Sequence, residues 1–171
     1  MTAVDNVDDS PALVSLTLSF RPQATQIGPL RTLLADLCKP HVADADGLSR
    51  LLLAAHELLE NIVKYSVGEV AEFHLRLEAK ATGLLVRLRT KNRAAPERMA
   101  DARWRLDALA AARDPIAHYD ELIRESAGRR DVSGLGLARI PAESEMALFY
   151  ATEQDWLILT AEGKASERVS Q

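Results

Sequence analysis

The chain has 171 residues, 47% of them hydrophobic and 27% charged, with a formal net charge of -4 at pH 7. That length holds one domain whose core hides about two-thirds of the unfolded surface, and leaves no room for a second catalytic domain. The composition excludes a disordered or fibrous chain, and an acidic balance without a basic, aromatic-interleaved stripe argues against a nucleic-acid binder.

The opening stretch MTAVDNVDDSPA is acidic and lacks the positive and apolar regions of a secretory signal, so residues 1–11 read as a flexible tail. No apolar run approaches the roughly 20 residues that span a bilayer. Cys38 is the only cysteine, which leaves no disulfide framework and no Cys-based zinc site and suits a cytoplasmic location.

ALVSLTLSF alternates Val14, Leu16, Leu18 and Phe20 with Ser and Thr, the two-residue period of a half-buried strand. Ile27, Leu30, Leu33, Leu34 and Leu37 then keep helical spacing up to Pro40. The turn DADG and Ser49 offer N-caps for a helix over about residues 48–66, with Gly68 as its C-terminal stop. EFHLRLEA, the turn KATG and LLVRLRT form a β-hairpin. PERMADARWRLDALAAA and DPIAHYDELIRES follow as two peripheral helices, the second capped by Asp114 with Pro115 in the first helical position. A glycine turn leads into a helix from about Leu135 to Ser144, and MALFYA, TEQD and WLILTA close the chain as a second hairpin. Trp104 and Trp156 are expected in or against the core, and His41, His56, His74 and His118 show no metal-ligand spacing.

This order predicts an α+β two-layer sandwich, a mostly antiparallel, mixed β-sheet with helices on one face. Residues 12–165 form the single domain, residues 94–132 are a helical insert within it, and residues 166–171 are a C-terminal tail.

Two stretches carry chemistry. In LLLAAHELLENIVKYSVG, residues 51–68, each helical residue advances about 100°, so Glu57, Asn61 and Lys64 fall in one polar stripe on an otherwise apolar helix. The plain reading is a solvated face with Glu57 and Lys64 as weak surface partners. Asn61 fits that reading badly, because a mid-helix Asn competes for backbone hydrogen bonds. The functional reading is a Mg2+–triphosphate site, with the Asn61 carbonyl on the hard cation, Lys64 toward phosphate and Glu57 orienting or deprotonating an attacking hydroxyl. In SGLGLA, residues 133–138, Gly134 and Gly136 permit close backbone approach at a helix N-terminus suited to an anion, although a tight turn without a ligand is as common.

HELLENIVKYS followed about 70 residues later by SGLGLA resembles the GHKL superfamily of ATP-binding domains, shared by histidine kinases, gyrase and the anti-sigma-factor serine kinases. A lone domain without a phosphoacceptor helix is most similar to the stand-alone anti-sigma-factor serine kinase branch. The resemblance covers roughly residues 12–162. It implies ATP and Mg2+ as cofactors, Glu57 as general base, Asn61 as the metal ligand, and Lys64 with Ser133, Gly134, Leu135, Gly136 and Leu137 around the phosphates. It implies a protein partner, a STAS-type anti-sigma-factor antagonist or a sigma factor, with no nucleic acid and no membrane, and it allows a homodimer.

One family motif is missing. The Asp-x-Gly-x-Gly turn that reads adenine has no counterpart after LLVRLRT, where Asn92 is the nearest stand-in, and no glycine lies between Gly83 and Gly128. Arg129 and Arg130 are candidates to clamp phosphate. Two functions follow: an ATP-dependent protein serine/threonine kinase, or a module of the same fold that binds partners without turnover.

Overall fold

A computed structural model describes residues 12–126 and 135–168. The expected tail over 1–11, the arginines at 129 and 130, Ser133 and Gly134 lie outside the described residues.

Five strands form one sheet: β1 (Ala12–Phe20), β2 (Ala71–Lys80), β3 (Gly83–Arg93), β4 (Ala147–Glu153) and β5 (Trp156–Ala165), in the order β1-β2-β3-β5-β4. All four pairings among them are antiparallel, so the sheet contains no parallel pair among the described strands. The helices are α1 (Ile27–Cys38), α2 (Ala45–Tyr65), α3 (Pro96–Ala111), α4 (Pro115–Ser126) and α5 (Leu135–Glu143). The fold is the two-layer α+β sandwich that the sequence predicts.

Alternation decides which face is core. Leu75 of β2 lies opposite Leu16, opposite Leu88 of β3, and Leu88 lies opposite Ala161 of β5, so each inward residue meets another. Leu75, Leu88 and Ala161 are buried, as are Leu51, Ala55, Leu58 and Ile62 of α2 against them. Each fully buried Leu or Ile contributes about 1.5–3 kcal/mol relative to exposure. The opposite face is a polar lattice: Arg87 donates to Glu162 at 2.9 Å, Lys91 to Glu153 at 3.2 Å, and Lys91 and Arg93 sit over the Trp156 ring at 5.2 and 5.0 Å. Helices therefore cover only the apolar face.

Helix boundaries follow the local chemistry. Asp44 caps α2 by accepting from the Gly47 N–H, so the helix begins at Ala45, three residues before the expected start; Ser49 instead donates to the Ala45 carbonyl at 2.8 Å. Asp114 accepts from the Ile116 and Ala117 N–H groups at 2.9 and 3.1 Å, the predicted cap for α4.

Three expectations are corrected. α3 is not peripheral, since Met99 and Leu106 are buried in the core cluster and its outer turns are tied to β4 by Arg103 to Thr152 and by Tyr150 to Asp107 at 2.6 Å. Trp104 is 69% exposed rather than core. Residues 166–168, the first part of the expected C-terminal tail, are fastened instead: Glu167 bridges Val42, and the Arg168 N–H donates to the His41 carbonyl at 2.7 Å.

Candidate functional site

The polar stripe of α2 is real but divided. Asn61 lines a cleft of about 310 Å³ walled by α3 and α4 and floored by α2, α5 and the sheet, with Ala102, Leu106, Leu109, Leu137, Ala138 and Leu157 giving it an apolar lining. Its rim carries Arg98, Asp101, Arg105, His118, Glu121 and Glu125. The Asn61 side chain is buried, 7% exposed, and its Nδ2 has no hydrogen-bond partner. A buried amide nitrogen left without a partner costs about 1–3 kcal/mol, so a residue that lines the cavity carries unspent hydrogen-bonding capacity.

Glu57, one turn earlier, is also buried at 8% exposure, but it does not line the cleft. α5 lies over it. Arg139 donates through Nη1 to Glu57 Oε1 at 3.1 Å and through Nε to Glu143 Oε2 at 2.7 Å. Gly136 presses on the other oxygen: a Cβ at this position would overlap Glu57 Oε2 and lie 3.4 Å from Cδ. The glycine read from the sequence as a phosphate-wrapping position thus also makes room for a carboxylate. Its neighbour Tyr119 on α4 has a raised pKa, through burial first and then the charge of Glu143, with Arg139 opposing and Glu57 adding. The two carboxylates raise the Arg139 guanidinium further, Glu143 first.

Lys64 stands outside the cleft. It donates to Glu60 at 2.6 Å in an i, i+4 pair, and that hydrogen bond is the first cause of its raised pKa and of the lowered one of Glu60. Its side chain is 58% exposed. Asn92 is fully buried on the inward face of β3 rather than in the cleft; its Nδ2 donates to the Arg93 carbonyl at 3.2 Å and its Oδ1 has no partner. Of the described glycine-turn residues, Leu137 reaches the cleft, while Leu135 opens α5 and Gly136 faces Glu57.

So the structure brings Asn61 and Leu137 to one cavity and holds Glu57 beside it, behind the first turn of α5. Arg139 is the residue that sequence reasoning missed. Its spacing of three from Gly136 and four from Glu143 puts all three on one side of α5, but nothing local identifies Glu57, 82 positions away, as the partner. Among the described residues no three His, Cys, Asp or Glu side chains cluster as a metal site, and no helix is long and apolar enough to cross a membrane.

No family model and no curated protein matches the sequence. Among solved structures, a chain of the SiaB–SiaC complex from Pseudomonas aeruginosa is similar, with a TM-score of 0.64 over 86% of this chain and 89% of that one, at 18% identity. A likeness at that identity establishes a common fold.

Proposed function

We propose that the chain is a GHKL-type signalling domain that takes Mg2+–ATP into the cleft beside Asn61 and acts on a protein partner, a STAS-type anti-sigma-factor antagonist or a sigma factor, by phosphorylating its Ser or Thr hydroxyl. The observation that carries this reading is a buried Asn61 with an unpartnered amide nitrogen, lining an apolar cleft of about 310 Å³, near the lower bound of ligand pockets. Amide oxygen and nitrogen exchange places by a rotation about χ2, so Asn61 is able to offer its oxygen to a hard cation, and the apolar walls suit a base. The similar solved chain belongs to a complex of two proteins, which supports a protein partner.

Asn61 would hold Mg2+, which when bound would supply charge neutralisation for the phosphates. The remaining work belongs to the chain. Glu57 accepts the proton of the partner's hydroxyl as its oxygen bonds to the γ-phosphorus and the bond to the β-phosphate oxygen breaks, leaving ADP. Lys64 and Asn92 are not assigned a part in this scheme, because the first is turned to Glu60 and the second lies under α2.

A second reading, a partner-binding module without turnover, is favoured by one observation: Glu57 accepts from Arg139 through one oxygen and is packed close against Gly136 at the other. Calorimetric titration with Mg2+–ATP separates the two. Binding heat that disappears in Asn61→Ala supports the nucleotide site, and a phosphate-sized mass gain on an added STAS-type protein supports the kinase. No heat at millimolar nucleotide sinks the kinase reading and leaves the module.

A further inference from the structure

We propose that Arg139 is a latch that withholds Glu57 from the cleft, so that the contact is autoinhibitory and the carboxylate is released when the first turn of α5 shifts. The inference rests on the reading of Glu57 as the base of the proposed phosphotransfer and names the regulation of that site.

A general base needs an oxygen within hydrogen-bond reach of the proton it takes, directly or through one water. Glu57 fails that condition, while Asn61 meets the cleft. Residues four apart on a helix are about 40° apart in rotation and about 6 Å apart along the axis, so Glu57 lies on the cleft side of α2, one turn from Asn61. α5 holds its carboxylate: Arg139 donates to one oxygen at 3.1 Å, and the backbone at Gly136 packs close to the other.

The energetics of the cluster suit a reversible contact. Separating a buried ion pair normally strands a charge, which is expensive. Here Arg139 keeps a second carboxylate, Glu143 at 2.7 Å, and its side chain is 38% exposed, so the guanidinium stays neutralised and wet when Glu57 departs. Glu57 then gains the cleft and the proton donor it serves. The neighbouring α4 gives the latch a handle, because it packs against α5, the helix that carries Arg139, and whatever displaces α4 bears on that helix. A partner that docks on the insert thereby has a route to the base.

The test labels carboxylates in the full-length protein with glycine ethyl ester and a water-soluble carbodiimide, read peptide by peptide by mass spectrometry, for wild type, Arg139→Gln and Arg139→Lys. Glu69 and Glu145, whose side chains are 76% and 73% exposed, serve as internal references. Glu57 is expected to label far more slowly than either in wild type. In Arg139→Gln its labelling should rise roughly fivefold or more, the factor that loss of one partly exposed ion pair supplies. Arg139→Lys, which keeps the charge, should fall between and covers the case in which the glutamine variant does not fold. Turnover of Mg2+–ATP should rise by a similar factor in Arg139→Gln with KM little changed. Wild-type labelling of Glu57 at the reference rate, or no increase in either variant, overturns the latch. Faster labelling with reduced turnover also overturns it, because Arg139 then aims Glu57 for work. Absence of nucleotide binding in both wild type and Arg139→Gln condemns the kinase reading instead, and the labelling still decides whether Arg139 withholds Glu57.

Discussion

Replacing Gly136 by Ala perturbs a single contact whose cost is calculable. The new Cβ would overlap Glu57 Oε2, and ordinary contact at about 3.5 Å requires the carboxylate to retreat by about 1 Å. That takes the 3.1 Å bond from Arg139 past hydrogen-bond length. A charged hydrogen bond is worth about 1.5–3 kcal/mol, reduced to about 1–2 kcal/mol here because the Arg139 side chain is 38% exposed. Against this, Ala in place of a helical Gly stabilises by about 0.5–1 kcal/mol. The expected net effect is a loss of about 0–1.5 kcal/mol. In a Glu57→Ala background the obstacle is gone, and the same substitution should be neutral or stabilising. Urea unfolding of the four proteins closes a double-mutant cycle with an expected coupling of about 1.5 kcal/mol. Coupling below about 0.5 kcal/mol would show that Gly136 and Glu57 do not constrain one another, and the packing of α5 on α2 would have to be redrawn.

Asn61→Leu should raise the unfolding free energy by about 1–2 kcal/mol while abolishing any Mg2+–ATP binding, since it removes an unpartnered buried amide and adds apolar contact; a marked loss of stability would mean that Asn61 has a structural partner. Asp44 has a pKa held below the ordinary aspartate range, chiefly because it accepts the Gly47 N–H, so its cap stabilises the fold above the unfolded-state pKa and is lost as pH falls through the lower native one. The difference in denaturation midpoint between wild type and Asp44→Ala should therefore be full near neutral pH and shrink in strong acid, and a difference that grows on acidification would contradict the cap. Burial pushes the Cys38 thiol up to about 11, so a disulfide reagent at pH 8 should leave it unmodified until the protein unfolds. Rapid native-state modification would show that α1 opens locally. Trp104, exposed at the cleft, should dominate any fluorescence change on ligand addition, and a change that survives in Trp104→Phe would place the ligand elsewhere.

What sequence exposes is what local chemistry decides. The Asp114–Pro115 start of α4 and the alternation of β2 and β3 are short-range patterns, and the structure has them where the residues point. The start of α2 shifts because, of the two caps offered by DADG and Ser49, Asp44 accepts the Gly47 N–H and Ser49 lies within the first turns, donating to the Ala45 carbonyl. Trp104 was expected in the core, yet it stands five residues past Met99, about 140° around α3 from that buried stripe. Lys64 had a nearer partner in Glu60, an i, i+4 pair visible in the sequence beside the ligand reading. For Asn92, continuing the alternation of Leu84, Val86 and Leu88 already puts it on the inward face. The Glu57–Arg139 contact was not legible, because it exists only once α5 is laid on α2.

The join between β3 and α3 governs how the cavity is entered. Only Ala94 and Ala95 separate the middle strand from the helix, Ala94 is buried, and its N–H is held by the Asp155 carbonyl at 2.9 Å. A wall bolted so closely to the spine of the sheet does not swing. Freedom begins after Ala111, where Ala112, Arg113 and Asp114 carry the chain to α4, which has no buried residue of its own. Access to Asn61 is therefore expected to depend more on the α4 side than on α3, and stiffening those three residues should slow ligand association without reshaping the chamber behind.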